Sequence, residues 1–402
     1  MNTTILKPFS GQFLSQFVWA PQTLPFTNEE ILSLDKELSE YEQVFLNPDV
    51  EKNLISKNEL LASFAISKAE ASDLTLQEAQ DVYNLILSDP DYDFVGKKLK
   101  AKKKLTQKDH NQLEFFLIAK TFKRLNQEPF LIKDLTSEKI LQVHSSMTKG
   151  LDIFNKNLSE FTIYKTGKWR DNDLIRVGSY VPASYKEIEK GVAELISWLK
   201  KNQTAEGVAV FHTGLYALHP FNNGNKRVCR VLEHILLRSL GINEKNLYST
   251  SYYYHKQKER YYKYLLYSLE RRNLNHFSSF MLEALVLSII DVVKTSLETK
   301  RSDFLNRYEL EGQLPLVLKP FIKRGGIQFK NLVRGTRGKI ARQTLITYLQ
   351  KAVEQGILNK REVGRTTYYS LNFEAPEEET LQKWLTFAKE RLSFIPDDIK
   401  LI

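Results

Sequence analysis

Residues 219–230, HPFNNGNKRVCR, crowd an imidazole, three asparagines, a glycine, a lysine and two arginines into twelve positions. Apolar residues recur at helical spacing before His219 and again after Arg227, which predicts helix, tight turn, helix. Gly224 stands where the chain must turn, and the amides of residues 224–227 would open the second helix. A helix N-terminus leaves N–H groups unsatisfied and carries partial positive charge, so it suits a phosphate. Lys226 and Arg227 add full charges, and Arg230 lies three residues on, over the same face. His219, at the end of the first helix, titrates near neutrality and is placed to act as a base toward something held in that nest. A capped helix–helix turn with a surface histidine would use the same residues, and on residue types alone both readings stand.

The run resembles the signature of the Fic family, His-Pro-Phe-x-(Asp/Glu)-Gly-Asn-(Gly/Lys)-Arg-x-x-Arg, and departs from it only at Asn223. GKWR (Gly167–Arg170) resembles the family's Gly-x-x-Arg ahead of a target-docking flap. Ser251 followed by YYYHKQKERYYKYLL resembles its aromatic helix. The resemblance implies a protein adenylyltransferase. His219 would deprotonate a Ser, Thr or Tyr hydroxyl of a target protein, the hydroxyl would attack the α-phosphorus of ATP, AMP would be transferred and pyrophosphate would leave. It assigns the nucleotide to Phe221, Asn222, Asn223, Gly224, Asn225, Lys226, Arg227 and Arg230. Within that set Gly224, Asn225 and Lys226 cradle the phosphates, Arg227 and Arg230 neutralise the tail, and Phe221 anchors the loop from beneath. Tyr261 aligns with an adenine-side position, although the eight tyrosines between 248 and 267 also suit core packing.

At Asn223 the family carries an acid that holds Mg²⁺. An amide oxygen is neutral and a poorer ligand for that ion, so the resemblance implies weakened or altered activity, an ion held by phosphates and water alone, or lost catalysis. Lys226 also occurs in the Doc branch, which transfers phosphate and not AMP, and keeps a protein-kinase reading open. A catalytically degenerate protein acting as a DNA-binding regulator is a further alternative. Upstream, ISKAEASDLTLQEA (66–79) resembles the family's inhibitory helix. Glu70 falls at the inhibitory glutamate, with Arg230 as its expected partner, while Ile66 and Ala71 depart from the pattern.

The elements that must position these residues are mostly helical, with one β-rich interruption at 161–184 that reads as a small hairpin flap. Almost no alternating βα pattern is present, which argues against a parallel-sheet enzyme. The fold class expected is mostly α: a Fic-type helical core with that flap, followed by a C-terminal winged helix-turn-helix. The chain divides into an N-terminal helical region (1–105), a catalytic core (106–296), the winged helix (305–375) and a helical tail (376–402). Helices are expected from LPLVLKPFIKRG, FKNLVRG and KIARQTLITYLQKAVEQG, then a wing around Val363-Gly364. KKLKAKKK (97–104) reads as a solvated linker.

Of 402 residues, 42% are apolar and 26% charged, ordinary for a globular chain. The net charge is +10, and the stretch from Arg301 to Leu371 holds fourteen Lys/Arg against five acids. That clustering is the electrostatic footprint of a nucleic-acid module, with Arg337, Lys339, Arg342 and Arg365 as candidate DNA contacts. A winged helix also serves dimerisation, so DNA and a second copy in a homodimer join ATP and a hydroxyl-bearing target protein as expected partners. The start lacks a signal-peptide pattern, no stretch suits a membrane span, and a lone Cys229 fits a reducing compartment. A soluble cytoplasmic enzyme using ATP and Mg²⁺ is the resulting expectation.

Overall fold

The computed structural model describes residues 4–45, 48–69, 72–156, 164–375 and 377–400. It divides into two units, Met1–Ser288 and Ile289–Ile402. The described residues are mostly helical and contain one three-stranded antiparallel sheet.

The first unit opens with an irregular arm. Helices α1 (Asn28–Phe45), α2 (Pro48–Lys68), α3 (Leu76–Ser88) and the short α4 (Gly96–Lys100) follow. Thr27 caps α1 by accepting from the Glu30 amide, while Glu30 bonds back to the Thr27 amide at 3.0 Å. The Leu-Thr-Leu-x-Glu run has a local physical cause. Thr75 and Glu78 form a reciprocal capping box that starts α3. The first half of the lysine run expected to be a linker winds into α4, where Lys98 pairs with Asp109 and Lys97 lies over the Tyr92 ring, while residues 101–104 lie outside it.

Next come α5 (Gln107–Gln127), α6 (Ser137–Thr148), α7 (Ile188–Lys201), α8 (Ala205–Leu218) and α9 (Asn225–Ser239). They are followed by α10 (Thr250–Lys256), α11 (Lys258–Glu270) and the long α12 (Asn275–Leu305). α8 is buried at every residue but Glu206 and packs between α7 and α9. A Cβ on Gly214 would come within 2.5 Å of Leu195, so glycine there permits the close approach of α7. In the apolar run 280–293, Glu283 is satisfied by Tyr253 and by both terminal nitrogens of Arg260. Among the described residues no helix is long and apolar enough to cross a membrane.

The hairpin expected across 161–184 is reduced to a single bridge, Val177 with Tyr180, among the described residues. Polar side chains take the backbone groups a ladder would need. Asn172 accepts from the Leu174 amide and Asp173 from the Tyr185 amide, while Arg170 collects the Asn172 and Ala183 carbonyls.

The second unit runs α13 (Leu314–Lys323), β1 (Gly326–Gln328), α14 (Phe329–Thr336), α15 (Arg342–Glu354), β2 (Leu358–Val363) and β3 (Thr366–Leu371). Two helices close it, α16 (Glu377–Arg391) and α17 (Asp397–Lys400). The sheet order is β1-β3-β2, all antiparallel. Leu314, Val317 and Phe321 of α13 share a core with Leu345 and Leu349 of α15 and with Tyr369 and Leu371 of β3. Strand β1 was not expected from the sequence: three residues are too few for a periodic signal. α15 starts at Arg342 and not at Lys339, because Arg337–Ile340 form the turn that leads into it.

Candidate active site

α8 ends because His219 takes up a left-handed conformation, φ 49°, and its amide still bonds to the Leu215 carbonyl. Arg170 fixes that unusual cap. Its Nε donates to the His219 carbonyl at 2.8 Å, its backbone N–H to the Pro220 carbonyl at 2.8 Å, and its guanidinium to the Leu218 and Ala183 carbonyls. The GKWR arginine therefore ties both ends of the flap to the turn that presents His219. Burial pulls its pKa down, with Asp173 opposing.

The turn closes through Asn225, whose amide bonds to both the N–H and the carbonyl of Phe221, at 3.0 and 2.8 Å. Phe221 is fully buried, stacked on His144 at 3.9 Å and against Trp169 at 5.1 Å. Gly224 begins α9 with φ 82°, a conformation that favours glycine, and supplies no side-chain cap. The first amides of α9 thus remain available to an anion.

His144 and Glu114 complete the loop and carry no sequence signal of their own. His144 Nδ1 accepts from the Gly167 amide at 3.1 Å, which places its proton on Nε2, 3.1 Å from the Asn223 carbonyl. Burial, reinforced by the charge of Arg227, pushes this imidazole down to about 3, so it stays neutral and acts as a clip between flap and loop. Glu114, from α5, pairs with the buried Arg227 at 2.6 Å.

The structure places the two motif arginines and the lysine in internal contacts. Arg227 also donates to the Asn223 side-chain oxygen at 2.8 Å. Arg230 is buried, donates to the Ala65 carbonyl at 3.0 Å, and lies 4.3 Å from the Tyr261 ring. Lys226 donates to the Ala69 carbonyl at 3.2 Å, where Tyr262 also donates at 3.0 Å. The last turn of α2 therefore sits over the cationic side of the loop. Glu70, the expected inhibitory residue, lies outside the described residues. Tyr261 is fully buried, with its ring among those of Tyr254, Phe277 and Phe280.

For a phosphate the fit is good at Gly224–Lys226: open amides, a partly exposed lysine, and an Asn222 amide without a hydrogen-bond partner among the described residues. For Mg²⁺ the fit is poor at position 223. The Asn223 oxygen already accepts from Arg227, and among the described residues no group of three or more His, Cys, Asp or Glu could hold a metal. The DNA candidates Arg337, Lys339, Arg342 and Arg365 are all exposed and belong to the second unit.

Residues 134–237 match the model of the Fic/DOC family. A probable protein adenylyltransferase of Aquifex aeolicus (strain VF5) is 23% identical over 136 residues, which cover 32% of this chain and 39% of that relative. Solved structures with a similar fold include a Fic family protein from Desulfovibrio desulfuricans G20, at 18% identity and TM-score 0.49, spanning 88% of this chain and 99% of that one. Fic-1 from C. elegans is 14% identical with TM-score 0.48, spanning 67% of this chain and 72% of that one. The chain therefore carries a Fic/DOC-type domain over residues 134–237, and the signature loop described above lies inside it.

Proposed function

We propose that the protein is a protein adenylyltransferase of restrained activity that transfers AMP from ATP to a Ser, Thr or Tyr hydroxyl of a target protein. The observation that carries this reading is the turn itself. His219 is held by Arg170 at the end of α8, five to seven residues before the amides of Gly224–Lys226, where α9 opens without a side-chain cap. The distant relationship to a probable protein adenylyltransferase supports the same chemistry.

In the step proposed, the target hydroxyl oxygen bonds to the α-phosphorus, the bond from that phosphorus to the bridging oxygen breaks, and pyrophosphate departs. His219 takes the hydroxyl proton. The amides of Gly224–Lys226 hold the phosphates in position and meet the charge that develops on them. Asn223 supplies no anionic ligand to a divalent ion, so an ion accompanying ATP would draw its ligands from phosphate and water, and activity is expected to be low. Two further features support restraint: Arg230 and Lys226 are engaged by the Ala65 and Ala69 carbonyls at the end of α2. An inhibitory role for Glu70, one residue beyond, belongs to the same proposal.

The test is a labelling assay with Mg²⁺, using α-labelled and γ-labelled ATP in parallel, on the wild type, Glu70→Gly, Asn223→Asp and His219→Ala. Label retained from the α-phosphate, increased several-fold by Glu70→Gly and by Asn223→Asp and abolished by His219→Ala, is the expected result. Label retained only from the γ-phosphate would assign the protein to phosphate transfer, with Lys226 as the residue to substitute next. No His219-dependent label in any variant would leave the Fic domain as a binding module.

A further inference from the structure

We propose that residues 314–371 form a winged-helix module that binds double-stranded DNA, with α15 in the major groove reading bases through Gln343 and Gln350. Three observations within the second unit carry this.

The first is topology. A helix, a strand, two helices joined by a short turn and a β-hairpin follow one another, and β1 adds to the hairpin as its third strand. The hairpin turns over two residues, Gly364 at φ 58° and Arg365, since Val363 still pairs with Thr366. Arg365 is thereby carried at the tip of an exposed wing.

The second is charge. From Gly312 to Val353 there is no Asp or Glu, while nine Lys or Arg occur. Lys330 and Arg334 are exposed on α14, Arg337 and Lys339 on the turn, and Arg342 on the first residue of α15. Lys351 pairs with Glu311 at 2.9 Å, but the exposed cations of α14, the turn and the start of α15 have no acid near them in the chain. Like charges so placed repel one another, and a phosphate backbone relieves that repulsion while releasing its own counterions. The lysine run at 97–104 differs. Asp91, Asp93 and Asp109 lie close to it in the chain, and Lys98 is paired with Asp109.

The third is the chemistry of the exposed face of α15. Leu345, Leu349 and Ala352 turn into the core, which leaves Gln343, Thr347 and Gln350 as an exposed row at helical spacing. Amide side chains carry a donor and an acceptor together and match the adenine edge presented in the major groove. The solvent face of an ordinary helix would be rich in acids, but the first acid here is Glu354, the last residue. The flanking cations would fix the register on phosphate, and the glutamines would select sequence.

The experiment uses the full chain and 20-base-pair duplexes selected from a randomised pool, followed by fluorescence anisotropy between 50 and 300 mM salt. A preferred sequence should emerge, and log K should fall with log salt at a slope of about −4, about 0.9 for each phosphate contact. The combined substitution Arg337→Gln, Lys339→Gln and Arg342→Gln should weaken binding at least about tenfold and flatten the slope by about 3. Gln343→Ala and Gln350→Ala should each relax preference at one or two base pairs without changing the slope. Neutralising Lys97, Lys100, Lys102 and Lys103 should change neither. The substituted side chains are exposed, and Arg361→Gln with Arg365→Gln tests the wing separately. Absence of binding at 50 mM salt, binding equally sensitive to the 97–104 substitutions, or stronger binding of single-stranded RNA would each overturn the proposal.

Discussion

At the scale of single residues, the candidate active site depends on side chains that touch no reacting atom. Arg170 spends its donors on carbonyls that include those of Leu218 and His219, so the left-handed cap that presents the imidazole is held from behind. His144 does the same for the other half of the loop, joining the Gly167 amide to the Asn223 carbonyl. Small displacements of a reacting group cost one to two orders of magnitude in rate. His144→Phe keeps the ring stack on Phe221 but loses both hydrogen bonds, and transfer from ATP should slow about tenfold. His144→Gln restores a donor toward Asn223 and should recover part of that rate. Initial rates of α-label transfer, measured beside melting temperature, decide this; a Phe variant within twofold of wild type would mean that the clip does not position the loop.

At the scale of elements, α2 is the part that connects an expected regulatory segment to the site. Its last turn and the residue just after it offer the carbonyls of Ala65 and Ala69 to Arg230 and Lys226, and the C-terminal end of a helix carries partial negative charge that favours such cations. The hold is therefore made by backbone as well as by any carboxylate. A proline at Ser67, within that turn, removes a helical hydrogen bond and crowds the preceding turn, at a cost of about 3 kcal/mol. Ser67→Pro should free Lys226 and Arg230 and raise nucleotide transfer several-fold, even with Glu70 in place. If labelling stays at the wild-type level while circular dichroism reports a folded chain, α2 does not restrain the site. The capping box of Thr75 and Glu78 sets where the next helix begins. This explains a sequence run that resemblance alone would attach to inhibition.

At the scale of the whole molecule, acid sensitivity follows from buried imidazoles. His144 and His234 are both buried, and burial holds each down to about 3, with nearby arginines adding to the effect. An unfolded chain protonates its histidines below about 6.5. Between those values the unfolded state binds more protons than the folded one, so stability is fully present above about pH 6.5 and falls as the pH drops toward 3. Each of the two imidazoles should contribute a slope of about 1.4 kcal/mol per pH unit well below 6.5. Urea unfolding from pH 7 to 4.5 should record this decline, and His144→Phe should make it shallower by about one proton. An unchanged slope in that variant would show that His144 is not held neutral in the folded state.

How much of this was legible in the sequence differs by feature. The helix–turn–helix around His219 was legible because apolar spacing and a glycine at a forced turn are local properties. So were the predominance of helix and the basic character of the second unit. The flap was not: β-branched and aromatic residues predicted a hairpin, but Arg170 and Asp173 draw the backbone groups into other bonds. Tyr261 stood at an adenine-side position by alignment, among tyrosines that also suited core packing, and the fold buries it beside Arg230. Glu114 and His144 lie about 105 and 75 residues before the loop they support, on helices whose pattern gives no hint of them. The sequence by itself determined the helices, the turn and the chemical types gathered on it, because hydrogen bonding and apolar periodicity act between near neighbours. The tertiary structure alone decided that Glu114 meets Arg227, that α2 covers the motif cations, and that His144 clips the loop. Those contacts join segments far apart in the chain, and burial makes each of them specific by penalising any polar group left unpaired.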